Sequence, residues 1–370
     1  MSQLDLFSTS APHRPAQLDP RAALAPWRWV DLFAGAGGAS TGIVSAPGAA
    51  HSVVWAANHW QLAVDLHAAA HPTTVHACQD LSQADFSALP AHDFAWASPA
   101  CQGFSTAATK RLSEKAKTAA DVFRATSYAV LDLAQRARPR ALVIENVPSM
   151  RRWGPGGDGS AYAHWLAGLT VWGYDVHEHV LTASDYGCAT ERARLFIVAA
   201  LRDSGIDPEL PQLASYRAPA QSIRSILDDV THTSTRRGDG GWSRWADSSP
   251  KVQARIQQGQ DRHGPACFVQ QVDDGGGRRS LDASLPTITA SGGSQYTIAD
   301  GPWVRTMNTR ELARASGFPA AYPWHLAGSE RERHRLIGNA VCPPIARALA
   351  AALGAQLAHN DNHPNRRRAA

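Results

Sequence analysis

The sequence predicts a doubly wound, mostly parallel α/β sheet of the Rossmann-like kind, joined to a second, smaller domain. Three observations predict it: seven short apolar, β-branched runs, helical spacing between them, and an abrupt change of texture near residue 202. The runs are WRWVDLF (27–33), HSVVWAA (51–57), TVHAC (74–78), DFAWAS (93–98), RALVIEN (140–146), DVHEHVL (175–181) and RLFIVAA (194–200). Between the fourth and fifth, Val122, Ala125, Ala129 and Leu133 recur on one helical face. In such a sheet a ligand binds beyond the carboxyl ends of the strands, so the residues that follow each run carry the information.

The flanking segments set the expected boundaries. Residues 1–26, with Pro12, Pro15, Pro20 and Pro26 among polar residues, read as a disordered arm and not as a signal peptide. The main domain is expected over 27–201 and a separate lobe over 202–302, where RRGDGGWSRW (236–245) and DDGGGRRS (273–280) mix glycine, arginine and tryptophan. Within the lobe, LPTITA (285–290) and QYTIAD (295–300) flank Ser291, Gly292, Gly293 and Ser294, the pattern of a hairpin. Residues 303–358 return to helical spacing, with Ile345, Leu349, Leu353 and Leu357 on one face, and 359–370 read as a solvated tail. There is no internal repeat.

Composition narrows the class. Of 370 residues, 44% are hydrophobic and 18% charged, an ordinary globular balance. No apolar run approaches the roughly 18 residues of a membrane span, so no membrane partner is expected. Cys78, Cys101, Cys188, Cys267 and Cys342 are odd in number, widely spaced and without a C-x-x-C pair, which indicates neither a disulfide framework nor a metal site. A formal net charge of +4 permits a phosphate-bearing partner without demanding one.

Four places carry chemistry. Asp31-Leu32-Phe33-Ala34-Gly35-Ala36-Gly37-Gly38 follows the first run and opens a helix, which suits either a tight turn or close backbone approach to a nucleotide-like ligand. Cys101 in ASPACQGFS follows the fourth run; a nearby helix amino terminus would lower its pKa and make it a nucleophile, whereas burial would make it inert packing. Glu145 closes the fifth run, as a carboxylate facing a cleft or a cap for the next segment. Arg192 and Arg194 precede the seventh run with strand spacing, so both point to one side, into a site or into solvent.

Together these residues resemble the cytosine-5 DNA methyltransferase family, with six blocks in order over about 28–200 and 303–354. DLFAGAGG is similar to the family's cofactor loop, SPACQGFS to its SPPCQGFS nucleophile loop, ENV to its catalytic glutamate, and TERAR, imperfectly, to its QxRxR strand. MNTRELARASGFP and GNAVCPPIARAL resemble the block after the recognition region and the closing helix. The resemblance implies S-adenosyl-L-methionine as cofactor and double-stranded DNA as substrate. Cys101 would add to C6 of a flipped-out cytosine, Glu145 would contact N3 and the amino group, Arg194 would hold O2 and Arg192 would support the loop. Asp31, Phe33, Ala34, Gly35, Gly37, Gly38, His59, Trp60, Asp80, Leu81, Pro99, Asn339 and Val341 would surround the cofactor, Phe33 and Trp60 flanking adenine. Gln102 and Ser105 would face DNA. A tRNA cytosine-5 methyltransferase shares these blocks, and a catalytically silent DNA-binding relative shares the fold.

The chain departs from the family pattern at three places. Ala100 stands where the family has proline, which removes a φ restraint beside the nucleophile but leaves an active enzyme expected. His59 stands where a glutamate usually holds the ribose hydroxyls, which puts cofactor affinity in doubt. Ala189, Thr190 and Glu191 replace the start of the QxRxR segment, so altered loop contacts are expected with both arginines kept. In the unmatched lobe Arg236, Arg237, Arg244, Arg278 and Arg279 are suited to phosphates or guanines, or belong to a flexible insertion. The arm carries Gln3-Leu4-Asp5-Leu6-Phe7, which resembles the pentapeptide that docks onto the bacterial sliding clamp. The reading therefore expects a monomer in a bacterial cytoplasm or nucleoid, or a phage-infected host, solitary or paired with a cognate restriction endonuclease.

Overall fold

The computed structural model describes residues 27–101, 103–104, 124–228, 241–271, 277–290 and 295–361. The arm with Gln3, Leu4, Asp5, Leu6 and Phe7, and also Gln102, Ser105, Val122, Arg236, Arg237, residues 291–294 and residues 362–370 of the expected tail, lie outside the described residues, whereas 359–361 continue the last helix.

All seven runs form strands of one sheet: β1 (Trp27–Leu32), β2 (His51–Asn58), β3 (Val75–Cys78), β4 (Phe94–Ala97), β5 (Ala141–Asn146), β6 (Tyr174–Thr182) and β7 (Ala193–Leu201), in the order β3-β2-β1-β4-β5-β7-β6. Pairing is parallel from β3 through β5, and β7 alone runs against its two neighbours. Among the described residues, four α-helices lie between the strands: α1 (Gly38–Val44), α2 (Gln61–Ala70), α3 (Tyr128–Arg136) and α4 (Ser160–Val171).

Alternation along each strand sorts side chains onto two buried faces. Trp27 and Trp29 of β1 join the core beneath α1, while Val30 and Leu32 join the opposite core with Val130, Leu133, Trp165 and Leu169 of α3 and α4. The first face is closed by a long C-terminal helix (Pro343–Asp361), whose Ile345, Leu349, Leu353 and Leu357 are fully buried. Gly42 of α1 permits that contact, since a Cβ there would come within 2.2 Å of the Pro343 carbonyl oxygen.

The smaller sheet is wholly antiparallel, ordered β10-β9-β11-β12-β8 from β8 (Ser243–Arg244), β9 (Ala266–Gln270), β10 (Arg278–Ser280), β11 (Tyr296–Asp300) and β12 (Trp303–Thr306). Along the chain, α5 (Ile223–Ile226), α6 (Pro250–His263), α7 (Thr309–Ala315), α8 (Glu330–Asn339) and α9 (Pro343–Asp361) complete the helices named here. β12 carries the small sheet past residue 302, and Ile206, Leu210 and Leu213, placed by sequence in the separate lobe, pack in the core of the large sheet.

Two expectations are corrected. The 285–290 segment forms no hairpin with β11, because β9 and β12 already occupy both edges of that strand. It runs instead beside 189–192: Leu285 N–H donates to the Ala189 carbonyl, Glu191 N–H to the Leu285 carbonyl, and Thr190 Oγ1 to the Pro286 carbonyl. The second concerns apolar length: Glu330–Leu357 is long and apolar enough to cross a membrane by composition, but 83% of its apolar window is buried inside the protein. Its apolar part lies in α9, which packs in the core through Ile345, Leu349, Leu353 and Leu357.

Candidate active site

The topology gathers the chemistry at one edge. β1, β2, β3, β4 and β5 all point their carboxyl ends there, delivering Phe33, His59 and Trp60, Asp80, Cys101 and Glu145. Because β7 is antiparallel to β5, its amino-terminal end lies at that same edge: Asn146 pairs with Leu195, and Arg194 follows. Arg194 Nε lies 3.2 Å from Glu145 Oε1, and both side chains are largely buried.

Burial pushes the Glu145 carboxyl above its ordinary range, with Arg194 and then Arg192 opposing. Burial likewise pushes the Cys101 thiol up, Glu145 adding to the rise, while Arg194 and Arg192 pull it down. The lowered thiol pKa expected from sequence is therefore corrected: desolvation outweighs the two cations. Arg194 is brought down to about 10, by burial first and by Arg192 second. Arg192 is buried and acts as a clamp, its Nη1 donating to the Ile288 carbonyl at 3.0 Å and the Gly338 carbonyl at 2.9 Å.

The Cys101 loop is held by residues that the sequence reading did not select. Asn146 Nδ2 donates to the Pro99 carbonyl at 3.1 Å, Thr126 Oγ1 accepts from Ala100 N–H at 3.1 Å, and Arg124 Nε donates to the Gly103 carbonyl at 3.2 Å. Ser149 Oγ donates to the Phe104 carbonyl at 2.6 Å. Asn146 had a signal, its place directly after Glu145 at the strand end; Thr126 and Arg124 had none.

At the glycine-rich turn, Phe33 adopts φ 61°, a left-handed conformation rare for a side chain of that size. Gly35 (φ 54°) faces open space, its nearest potential Cβ neighbour being the Phe33 carbonyl oxygen at 3.8 Å, and Ala34 N–H donates to the Ala57 carbonyl. Gly37 caps α1 in the left-handed region, and a Cβ on Gly38 would lie 2.0 Å from the Val341 carbonyl oxygen. Asp31 is fully buried beneath the turn, accepting from Ser40 Oγ at 2.6 Å through Oδ2, with Oδ1 unpartnered. Burial raises it to about 7.

Around the turn, Trp60 is half-buried with the Arg335 guanidinium 4.7 Å over its ring, and His59 and Asn339 are exposed. Asp80 Oδ1 is engaged by Ser82 N–H and Oγ, and Leu81 is buried in the core. In the smaller unit Arg244 is exposed and stacks over Trp303 at 5.6 Å, and Arg278 Nε donates to the Arg255 carbonyl. Arg279 bridges Glu191 at 2.6 Å and the Ser284 carbonyl at 3.0 Å, contacts that tie its guanidinium to the 189–192 segment.

The family model for C-5 cytosine-specific DNA methylase matches residues 27–355. The chain is 28% identical over 334 residues to Type II methyltransferase M.NlaX of Neisseria lactamica, covering 89% of this chain and 96% of that protein. It is 23% identical to Type II methyltransferase M.HhaI of Haemophilus parahaemolyticus, over 89% and 95% of the two chains. Two solved structures share the fold: S. pombe Dnmt2 methyltransferase (TM-score 0.59, 18% identity, 91% and 99% coverage) and Entamoeba histolytica methyltransferase EhMeth (TM-score 0.60, 15% identity, 90% and 98% coverage). With six ordered blocks, one sheet edge that collects them and a family match across nearly the whole described chain, the protein belongs to the C-5 cytosine-specific DNA methylase family.

Proposed function

We propose that the chain methylates C5 of a cytosine flipped out of double-stranded DNA, through a transient bond from Cys101 Sγ to C6. The observation that carries this reading is the buried Glu145–Arg194 pair at 3.2 Å, set at the same sheet edge as Cys101. The glycine-rich turn fits S-adenosyl-L-methionine: Gly35 opens onto free space, and Phe33 is held in a left-handed conformation beside it. Phe33, Trp60, Asp80 and the 35–38 backbone would hold the cofactor, with Asn339 and Val341 closing its methionine end. When bound, it supplies an electrophilic methyl group.

The protein's own groups do the rest. Cys101 loses its proton and adds through sulfur to C6, and the C5=C6 electrons move toward C5, which becomes nucleophilic. Glu145, whose hold on a proton is strengthened by burial, donates to N3 and accepts from the exocyclic amine, stabilising charge as it develops. Arg194 holds O2, and Arg192 fixes the segment carrying it. After transfer, a base removes the C5 proton and the sulfur leaves C6, restoring the double bond. Arg244, Arg278 and the neighbouring small sheet would read the flanking duplex.

The similarity to Type II methyltransferases supports a modification or restriction-modification setting for this activity. The Gln3–Phe7 pentapeptide would dock the enzyme on a sliding clamp; removing residues 1–8 then abolishes retention on immobilised clamp, and unchanged retention discards that role.

The deciding experiment is adduct trapping. Duplex DNA containing 5-fluorocytosine, offered with S-adenosyl-L-methionine, should give a denaturation-stable complex, because fluorine blocks release from the cysteine. Cys101→Ser should give none, and equal transfer by parent and Cys101→Ser would overturn the reading. Faster transfer to tRNA than to duplex DNA would reassign the substrate.

A further inference from the structure

The peptide unit joining Pro99 to Ala100 is held at both ends. Its carbonyl accepts from Asn146 Nδ2 at 3.1 Å, and its N–H donates to Thr126 Oγ1 at 3.1 Å. A peptide unit is planar, so fixing its two polar ends fixes the rotations on either side of it, and one of these is φ of Ala100, the residue bonded to Cys101. A proline at 100 would set that same angle covalently and would have no N–H to offer. The hydrogen bond to Thr126 thus exists because residue 100 is alanine, and it restrains the torsion that a pyrrolidine ring would otherwise lock.

We propose that Thr126 is a positioning residue for the Cys101 loop, its hydroxyl replacing the conformational restraint lost with alanine at position 100. The assignment rests on Cys101 as the nucleophile, but the geometry it describes is independent of the substrate. Asn146, Arg124 and Ser149 tether three carbonyls of the loop, at Pro99, Gly103 and Phe104. Thr126 takes the N–H immediately preceding the reactive residue.

The test is a double-mutant cycle between Thr126→Val and Ala100→Pro, with Thr126→Ser as the conservative control. In the parent, Thr126→Val should slow single-turnover adduct formation on unmethylated duplex containing 5-fluorocytosine by about three- to tenfold, the worth of one net hydrogen bond. KM for DNA should stay unchanged, and Thr126→Ser should retain the parental rate. In the Ala100→Pro background, Thr126→Val should cost less than twofold. Alkylation of Cys101 by iodoacetamide, followed by peptide mass spectrometry without DNA or cofactor, should speed up at least threefold in Thr126→Val and not in Ala100→Pro/Thr126→Val. An unchanged rate in Thr126→Val, or an equal loss in both backgrounds, overturns the proposal. If Ala100→Pro does not fold, the valine and serine variants decide alone: equal rates in both defeat the idea. A parent that forms no adduct sinks the proposed function instead, while the alkylation comparison still judges Thr126.

Discussion

Burial raises the pKa of Cys101, Glu145 adds to the rise and two arginines oppose it, so the neighbouring carboxyl bears directly on the proposed nucleophile. Removing that carboxylate separates their roles. Glu145→Gln should reduce methyl transfer by a hundredfold or more, since the amide cannot supply the N3 proton with the same ease. The same change should make Cys101 alkylate faster at pH 8, because a negative charge beside the thiolate is gone. A variant slow in both assays would mean that Glu145 merely supports the loop. The placement of Cys101, Glu145 and Arg194 at one sheet edge was legible in the sequence because each adjoins an apolar run. Thr126 was not, because a threonine at the start of a helical stretch has many uses and only the loop's three-dimensional path selects one.

At the level of the turn and its helix, Asp31 is the group with the clearest pH signature. The unfolded chain releases its proton near 3.8, whereas the folded protein holds it to about 7. Its contribution to stability is therefore fully present below 3.8 and drains away as pH rises toward 7. Asp31→Asn should escape this loss: the gap between its urea midpoint and that of the parent should move in favour of the variant between pH 5 and 8, then stay level. Asp31, Ser40, His67 and His76 form a continuous hydrogen-bonded line, and burial also drives His67 well below its ordinary pKa, so burial favours the neutral forms of both Asp31 and His67 beneath the turn. Gly38→Ala should cost about 2 kcal/mol or more in unfolding free energy, since its methyl would meet a backbone oxygen. Strand positions were readable from β-branched runs; the reversal of β7 was not, since RLFIVAA has the same texture as the runs that lie parallel. LPTITA misled for a related reason, because alternation predicts an extended segment but not which partner it finds.

For the molecule as a whole, Arg192 binds three parts together: the strand it precedes, the Ile288 carbonyl and the end of α8. Arg192→Met should leave both carbonyls unpaired and cost roughly 3 kcal/mol, with hydrogen exchange rising first at 285–290. Faster exchange elsewhere but not there would contradict the clamp. The reversal of β7 has a further result. Its carboxyl end, Leu201, emerges at the edge of the sheet remote from Cys101, so the chain must climb the full height of the sheet before the variable unit can begin. It does so by packing Ile206, Leu210 and Leu213 into the core and rejoining the cleft side where Gln221 N–H meets the Cys188 carbonyl. Anyone wishing to transplant the smaller unit of this enzyme onto a relative should therefore splice near 222 and after Thr306, because scissors placed at 202 would cut away a wall of the house along with the furniture.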